Sequence, residues 1–277
     1  WLQHKLDPSS TAYHVPFVVE LVGELSEEAL RDALGDVLRR HAPLRTVLTE
    51  NADGEPRPRL VEVDRAAVLG TRDVRDRDES QQLIDDFVSE PFDLATDVPI
   101  RFALHRIGDR CHELVVVAHH IALDGLSFAP LIADLTAAYT ARRAGGTPPW
   151  APLPVDYADY ARWQHELLDS GIRDSDLAFW EGVLEGAPAV PGVPLDRSRS
   201  AVRGRAERVT ASLDSEVWTA LGAVARGIDA TPFMVLHSAV AVLLSAITGT
   251  PDTLVGTAES GRNDPLHLAA DLPVPRG

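Results

Sequence analysis

The chain has 277 residues, 45% hydrophobic and 25% charged, a balance typical of a globular protein and a length that accommodates two domains. Its formal net charge of −16 is spread along the sequence and speaks against a nucleic-acid partner, because phosphate binding needs basic patches. No apolar run reaches membrane-span length, no cleavable leader opens the chain, and the single cysteine, Cys111, excludes an internal disulfide, so a cytoplasmic location without a membrane partner is expected.

The sequence opens on Trp1-Leu2-Gln3 without Met and reads as a segment of something larger. Residues 14–22 predict a strand, with Pro16 near its start where a missing N–H is tolerable. Ser26 then caps a helix whose first turn carries Glu27 and Glu28 and whose last turn ends in Arg39, Arg40 and His41, each charge matching the helix dipole. Ala29, Leu30, Ala33, Leu34, Val37 and Leu38 form its inward stripe. Asn51-Ala52-Asp53-Gly54 predicts a hairpin turn between strands at 46–49 and 59–63. A helix follows at 79–89, then two strands, 100–107 and 111–118, around Gly108-Asp109-Arg110. A helix over 126–143 ends at Gly145-Gly146 and the Pro148-Pro149 stop. Helical pieces are expected at 156–168 and 175–184. The Gly/Pro-rich run 186–194 then marks a crossover between lobes at 1–185 and 186–277. Beyond it come a strand (205–213), a helix (215–226), a helix with Thr231 as N-cap and Pro232 at its first position, and a short strand (252–257). The body of the second helix, 233–247, is apolar nearly all round and is expected to be buried on several sides. The order of elements reads as mixed α/β layers.

The most chemically loaded stretch is His119-His120-Ile121-Ala122-Leu123-Asp124-Gly125, at the end of the apolar run Leu114–Ala118. Strand side chains alternate, so one histidine can face a cleft while its neighbour turns to the other side. A neutral imidazole, with an ordinary pKa of about 6.5, is a competent base near neutrality. Asp124 either orients an imidazole or makes a buried ion pair. Two adjacent histidines do not make a metal site, as they cannot easily reach one ion from opposite strand faces. The sequence holds no Gly-x-Ser-x-Gly elbow, no Walker loop and no Gly-x-Gly-x-x-Gly, which argues against serine hydrolysis and nucleotide use.

Several motifs in one order resemble the condensation domains of nonribosomal peptide synthetases, within the superfamily of chloramphenicol acetyltransferase. They are Leu6 to Pro16, Arg40-His41-Ala42-Pro43-Leu44-Arg45-Thr46, the His119–Gly125 run, Asp156 to Trp163, and Val255-Gly256-Thr257 through Gly261-Arg262. The family's opening Ser-x-Ala-Gln-x-Arg motif is absent, and 263–277 does not match the Gly-Phe-Phe-Val-Asn-Thr motif that would follow Arg262. The resemblance therefore implies two mixed-sheet lobes in a V arrangement, the second incomplete.

It further implies peptide-bond formation: the amine of an acceptor aminoacyl thioester attacks a donor thioester, both carried on phosphopantetheine arms. The implied partners are upstream and downstream peptidyl carrier proteins and an adjacent adenylation domain, with no permanently bound cofactor. By matching position His120 stands at the reacting centre, as base or as positioning group, and His119 is the more architectural member. Asp124 resembles the family aspartate that pairs with an arginine, for which Arg262 is the expected partner. The Gly125 N–H is a candidate oxyanion donor, with glycine needed for close approach and for the turn. Arg40 and Arg45 are expected to brace the helix end, and Tyr157, Tyr160 and Trp163 to pack in the core. Two other readings stay open. An epimerisation domain shares the histidine motif but usually has Trp-Arg after the serine where this chain has Phe128-Ala129, and a non-catalytic relative would recruit carrier proteins or tailoring enzymes. The run Asp124–Leu131 with Asp134-Leu135 leans toward a D-configured donor.

Overall fold

A computed structural model describes residues 1–187, 192–194 and 210–258. The chain divides into two compact units, one built on Trp1–Glu166 and the other on Leu167–Glu259.

In the first unit a short helix, α1 (Leu2–Leu6), leads into β1 (His14–Val22), and Ser26 then caps α2 (Glu27–Arg40), its side chain accepting the Ala29 N–H. A hairpin of β2 (Thr46–Glu50) and β3 (Pro56–Leu60) precedes β4 (Leu69–Asp73), α3 (Arg77–Ser89), β5 (Ile100–Gly108), β6 (Cys111–His119) and α4 (Phe128–Arg143). The main sheet has the order β1-β6-β5-β4; β1 and β5 run antiparallel to β6, while β4 pairs parallel to β5. This mixed sheet is what a β4-α3-β5 crossover followed by a tight β5–β6 hairpin must produce.

Strand β6 is buried along almost its whole length, which explains its run of Leu114 to Ala118 without polar alternation. Phe102, Leu104, Leu114, Val116 and Ala118 meet Leu30, Leu34 and Val37 of α2 and Leu131 of α4 on one face. On the other, Val117 meets Phe92 and Leu94, with Phe87 and Val88 at the edge. Among the described residues strand β1 pairs with β6 alone, so Pro16 costs the sheet no ladder bond it needs there.

Some expectations shift. Strand β3 lies three residues earlier, because the Asn51 side chain accepts the N–H groups of Asp53 (3.0 Å) and Glu55 (2.8 Å) and sets the loop. Strand β4 has no counterpart in the sequence reading: Leu69-Gly70-Thr71-Arg72-Asp73 lacks alternation and is extended through its pairing with β5. Helix α4 starts at Phe128, after a 3-10 turn at Gly125–Ser127.

Helix α5 (Tyr157–Leu167) follows, and the second unit contains α6 (Arg173–Val183), α7 (Ser215–Gly227) and α8 (Pro232–Thr248). Thr231 caps α8 through the Met234 N–H at 3.2 Å, and Gly249 ends it with φ 70°, a conformation open to glycine. The expected burial of α8 on several sides is not met. None of its residues is buried, and among the described helices and strands its main packing partner is α7. The strand expected at 205–213 falls largely outside the described residues, and 210–213 and 252–257 form no strand there, since a strand is stabilised by a ladder partner. No single helix among the described residues is long and apolar enough to cross a membrane.

Candidate active site

The two histidines leave β6 in opposite ways. The His119 N–H donates to the Pro99 carbonyl (2.9 Å) and the His120 N–H to the Tyr13 carbonyl (2.8 Å), so the backbone is anchored on both flanks of the strand end. The His119 side chain is buried, only 5% exposed, whereas His120 is exposed. Around the His119 ring stand His4 (centroids 6.3 Å apart), Tyr13 (6.1 Å), His14 (6.3 Å) and Phe92 (6.2 Å). Burial, reinforced by neighbouring His14 and His4, pushes the His119 pKa down to about 4. The ring is therefore neutral at pH 7, and its Nδ1 accepts the Ile121 N–H at 3.1 Å, which leaves the proton on Nε2. That bond and the Ala122 N–H donating to the His119 carbonyl (3.0 Å) fold the turn from which His120 projects. His119 is committed to the turn, while the His120 ring has no side-chain hydrogen bond among the described residues.

Asp124 closes the same turn. Its Oδ1 accepts the Ser127 N–H (3.0 Å) and the Ser127 hydroxyl (2.6 Å), and its own N–H donates to Ser127 Oγ (3.2 Å), a reciprocal capping box leading into α4. Arg262, its expected partner, lies outside the described residues. The reason expected for Gly125 needs correcting. Its φ is not in the left-handed region and a Cβ there would meet nothing within 4 Å, so neither the turn nor the protein's own packing requires glycine. A side chain there would instead project into open space.

The motif Arg40-His41 serves as a brace. Arg40 Nε and His41 Nε2 each lie 2.8 Å from the same oxygen of Asp134 on α4; Arg40 also donates to the Ala151 carbonyl (2.8 Å) and lies over the Trp150 ring at 4.9 Å. Arg45 approaches Glu62 at 4.0 Å. Asp134, on which the lean toward a D-configured donor partly rested, is thus occupied in joining α4 to α2. Tyr157, Tyr160 and Trp163 form a ladder of tilted rings 5.7 and 5.8 Å apart. Tyr157 is 61% exposed, so core packing does not describe it.

Sequence reasoning passed over His14, Phe92 and Arg101. His14 Nδ1 donates to the Val88 carbonyl at 2.7 Å, and its ring meets Phe92 edge-on at 5.0 Å. The Arg101 guanidinium carbon lies over the Phe92 ring, 4.1 Å from its centroid. His14 opens a recognisable strand, but Phe92 sits in an aperiodic loop that gives no positional signal.

A family model described as "Condensation domain" matches residues 1–271. The isonitrile lipopeptide synthase of Mycobacterium tuberculosis is 42% identical over 96% of this chain and 11% of its own length. The X-domain in its complex with OxyB from teicoplanin biosynthesis superposes with a TM-score of 0.77 at 32% identity, over 88% of this chain and 55% of that one. The first condensation domain of the calcium-dependent antibiotic synthetase, in complex with a substrate analogue, gives 0.72 at 25% identity, over 91% and 60%. The chain thus spans about a tenth of that curated relative and under two thirds of these structures. Its mixed sheets, its buried and exposed histidine pair and the extent of the match lead to one conclusion: the chain belongs to the condensation-domain family of nonribosomal peptide synthetases, with the chloramphenicol acetyltransferase-like α/β fold.

Proposed function

We propose that this chain is the part of a peptide-bond-forming acyltransferase that carries the working histidine. The observation behind the proposal is the division of labour at the end of β6: His119 is buried and committed to the turn, and His120 is exposed with its ring unengaged among the described residues. The substrates are a donor acyl or peptidyl thioester and an acceptor aminoacyl thioester on the phosphopantetheine arms of two carrier proteins. The acceptor nitrogen attacks the donor carbonyl carbon, the C–S bond breaks, and the donor arm leaves as a thiol carrying the proton the amine gives up. His120 holds the amine by hydrogen bond and relays that proton. Bringing the two arms together supplies much of the rate, since well-oriented reactants gain several orders of magnitude. Asp124, by capping the turn, keeps His120 facing the arms, and its pairing with Arg262 is part of the proposal.

The likeness to an X-domain seen in complex with OxyB favours a second reading, in which the domain recruits a partner enzyme without transferring anything. Intact-mass measurement of both loaded carrier proteins, within the synthetase that contains this chain, separates the readings. Condensation moves the donor mass onto the acceptor carrier, and His120→Ala abolishes the movement. An epimerase leaves the masses in place but takes one deuteron per turnover from D2O at the α-carbon. A recruiting domain does neither, and either of these outcomes overturns the proposal.

A further inference from the structure

The His119 ring is held from behind by a wedge that belongs to neither the histidine motif nor its turn. Phe92, 2% exposed, meets His119 edge-on (interplanar 88°) and His14 at 79°. Its own position is set by Arg101, whose guanidinium stacks over it at 4.1 Å. Arg101 in turn donates to the Glu90 carbonyl at 2.5 Å and pairs with the Glu90 carboxylate at 3.2 Å, fixing the start of the loop that carries Phe92. His14 is tied to the Val88 carbonyl, and its buried Nε2 has no hydrogen-bond partner among the described residues. An imidazole nitrogen left bare in this way marks a pocket without protein donors, apolar on the Phe92 side.

We propose that Phe92, clamped by Arg101, is a positioning residue that keeps the His119 ring dry, with Nδ1 free to accept the Ile121 N–H, and so holds the turn that aims His120. The proposal rests on the catalytic reading of His120. The physical link is the bond itself. Nδ1 accepts the Ile121 N–H only while it is unprotonated; a proton there would set two donors against each other and open the turn. Burial is the leading reason the ring resists protonation, and Phe92 supplies one wall of it. The titratable and charged groups around the ring are His4 and the Trp1 amino group, Tyr13 and His14 of the β1 side, His120 in the turn, and Arg101 behind Phe92. Among the described residues, no carboxylate is among the groups acting on this ring to favour its charged form.

Replacing Phe92 with Ala admits water to His119; Phe92→Leu keeps an apolar wall and is the variant that protects folding. Two readouts follow. In the 15N-histidine-labelled chain, the His119 titration midpoint moves from about 4 upward toward about 6 in Phe92→Ala, with a smaller rise in Phe92→Leu. In the transfer assay with loaded carriers, with each variant compared with wild type at the same pH, Phe92→Ala stays within about threefold of wild type near pH 8 and falls about tenfold below it near pH 5, with a smaller fall in Phe92→Leu. A purely structural role would lower the rate equally at both pH values, and that result, or an unmoved His119 midpoint in both variants, overturns the proposal. The titration needs no turnover. If wild type transfers nothing, the catalytic reading fails, while the midpoint still judges whether Phe92 governs His119.

Discussion

Arg142 of α4 grips both carboxylate oxygens of Asp36 on α2, with Nε 2.6 Å from Oδ2 and Nη2 2.7 Å from Oδ1. Burial works against ionisation of Asp36, but the hydrogen bonds and charges of Arg142 and Arg39 outweigh it and hold the carboxyl below its usual range. The pair locks one end of α4 to α2, while Asp134 with Arg40 and His41 locks a point nearer the end that Asp124 caps. Asp36→Asn leaves Arg142 without its counter-charge beside a buried face, and the expected loss is about 3 kcal/mol in urea unfolding. An unchanged midpoint would show that the α2–α4 contact rests on its apolar residues alone.

Stability should also fall on mild acidification. His119 titrates at about 4, and His14, His41 and His105 lie below the ordinary value, each chiefly through burial. In the unfolded chain these rings take up protons near pH 6.5, whereas the folded protein refuses them until lower pH. The contribution is therefore complete above about pH 6.5 and is lost as pH falls toward about 4, with His119 alone accounting for something on the order of 3 kcal/mol. Denaturant titrations near pH 7.5 and pH 5 test this, and equal midpoints would contradict it.

How legible this was depended on whether a feature was local. The cap at Ser26, the charged ends of α2, the β5–β6 hairpin and the Thr231-Pro232 start of α8 are written in neighbouring residues, and each appears where the sequence placed it. Strand β4 was invisible because its extended form comes from β5 rather than from its own residues. The exposure of α8 was equally hidden, as apolar composition says what a helix tends to bury and not what lies beside it. At the site, alternation allowed the two histidines to face opposite sides, while which of them is architectural came only from the resemblance; His119 is buried and His120 exposed. The Phe92–Arg101 stack joins a loop to a strand nine residues on, with no periodicity to announce the contact.

Gly125 offers a test of substrate approach that is separable from folding. Its φ suits any residue and a Cβ would touch nothing within 4 Å, so Gly125→Ala should leave the unfolding midpoint unchanged or raise it by about 0.5 kcal/mol through a stiffer unfolded chain. If substrate comes close to this backbone, the same methyl group obstructs it, and transfer should drop about tenfold or more. Full activity in Gly125→Ala would mean that substrate does not approach this stretch of backbone.

The paired histidines should separate cleanly under substitution. His120→Ala removes an exposed ring, so its unfolding midpoint should stay within about 0.5 kcal/mol of wild type while transfer falls about a hundredfold or more. His119→Ala leaves a void among His4, Tyr13, His14 and Phe92 and strips the Ile121 N–H of its acceptor, which together should cost about 2–3 kcal/mol. Its rate should fall as well, but through a turn that no longer holds its shape. The two causes differ in their response to a replacement acceptor: His119→Gln can offer a carbonyl oxygen to Ile121 and should recover part of both stability and rate, whereas His120→Gln, with no group able to take and return a proton, should recover neither activity nor its pH dependence. Equal losses of stability in the two alanine variants would mean that burial at the end of β6 does not set their roles.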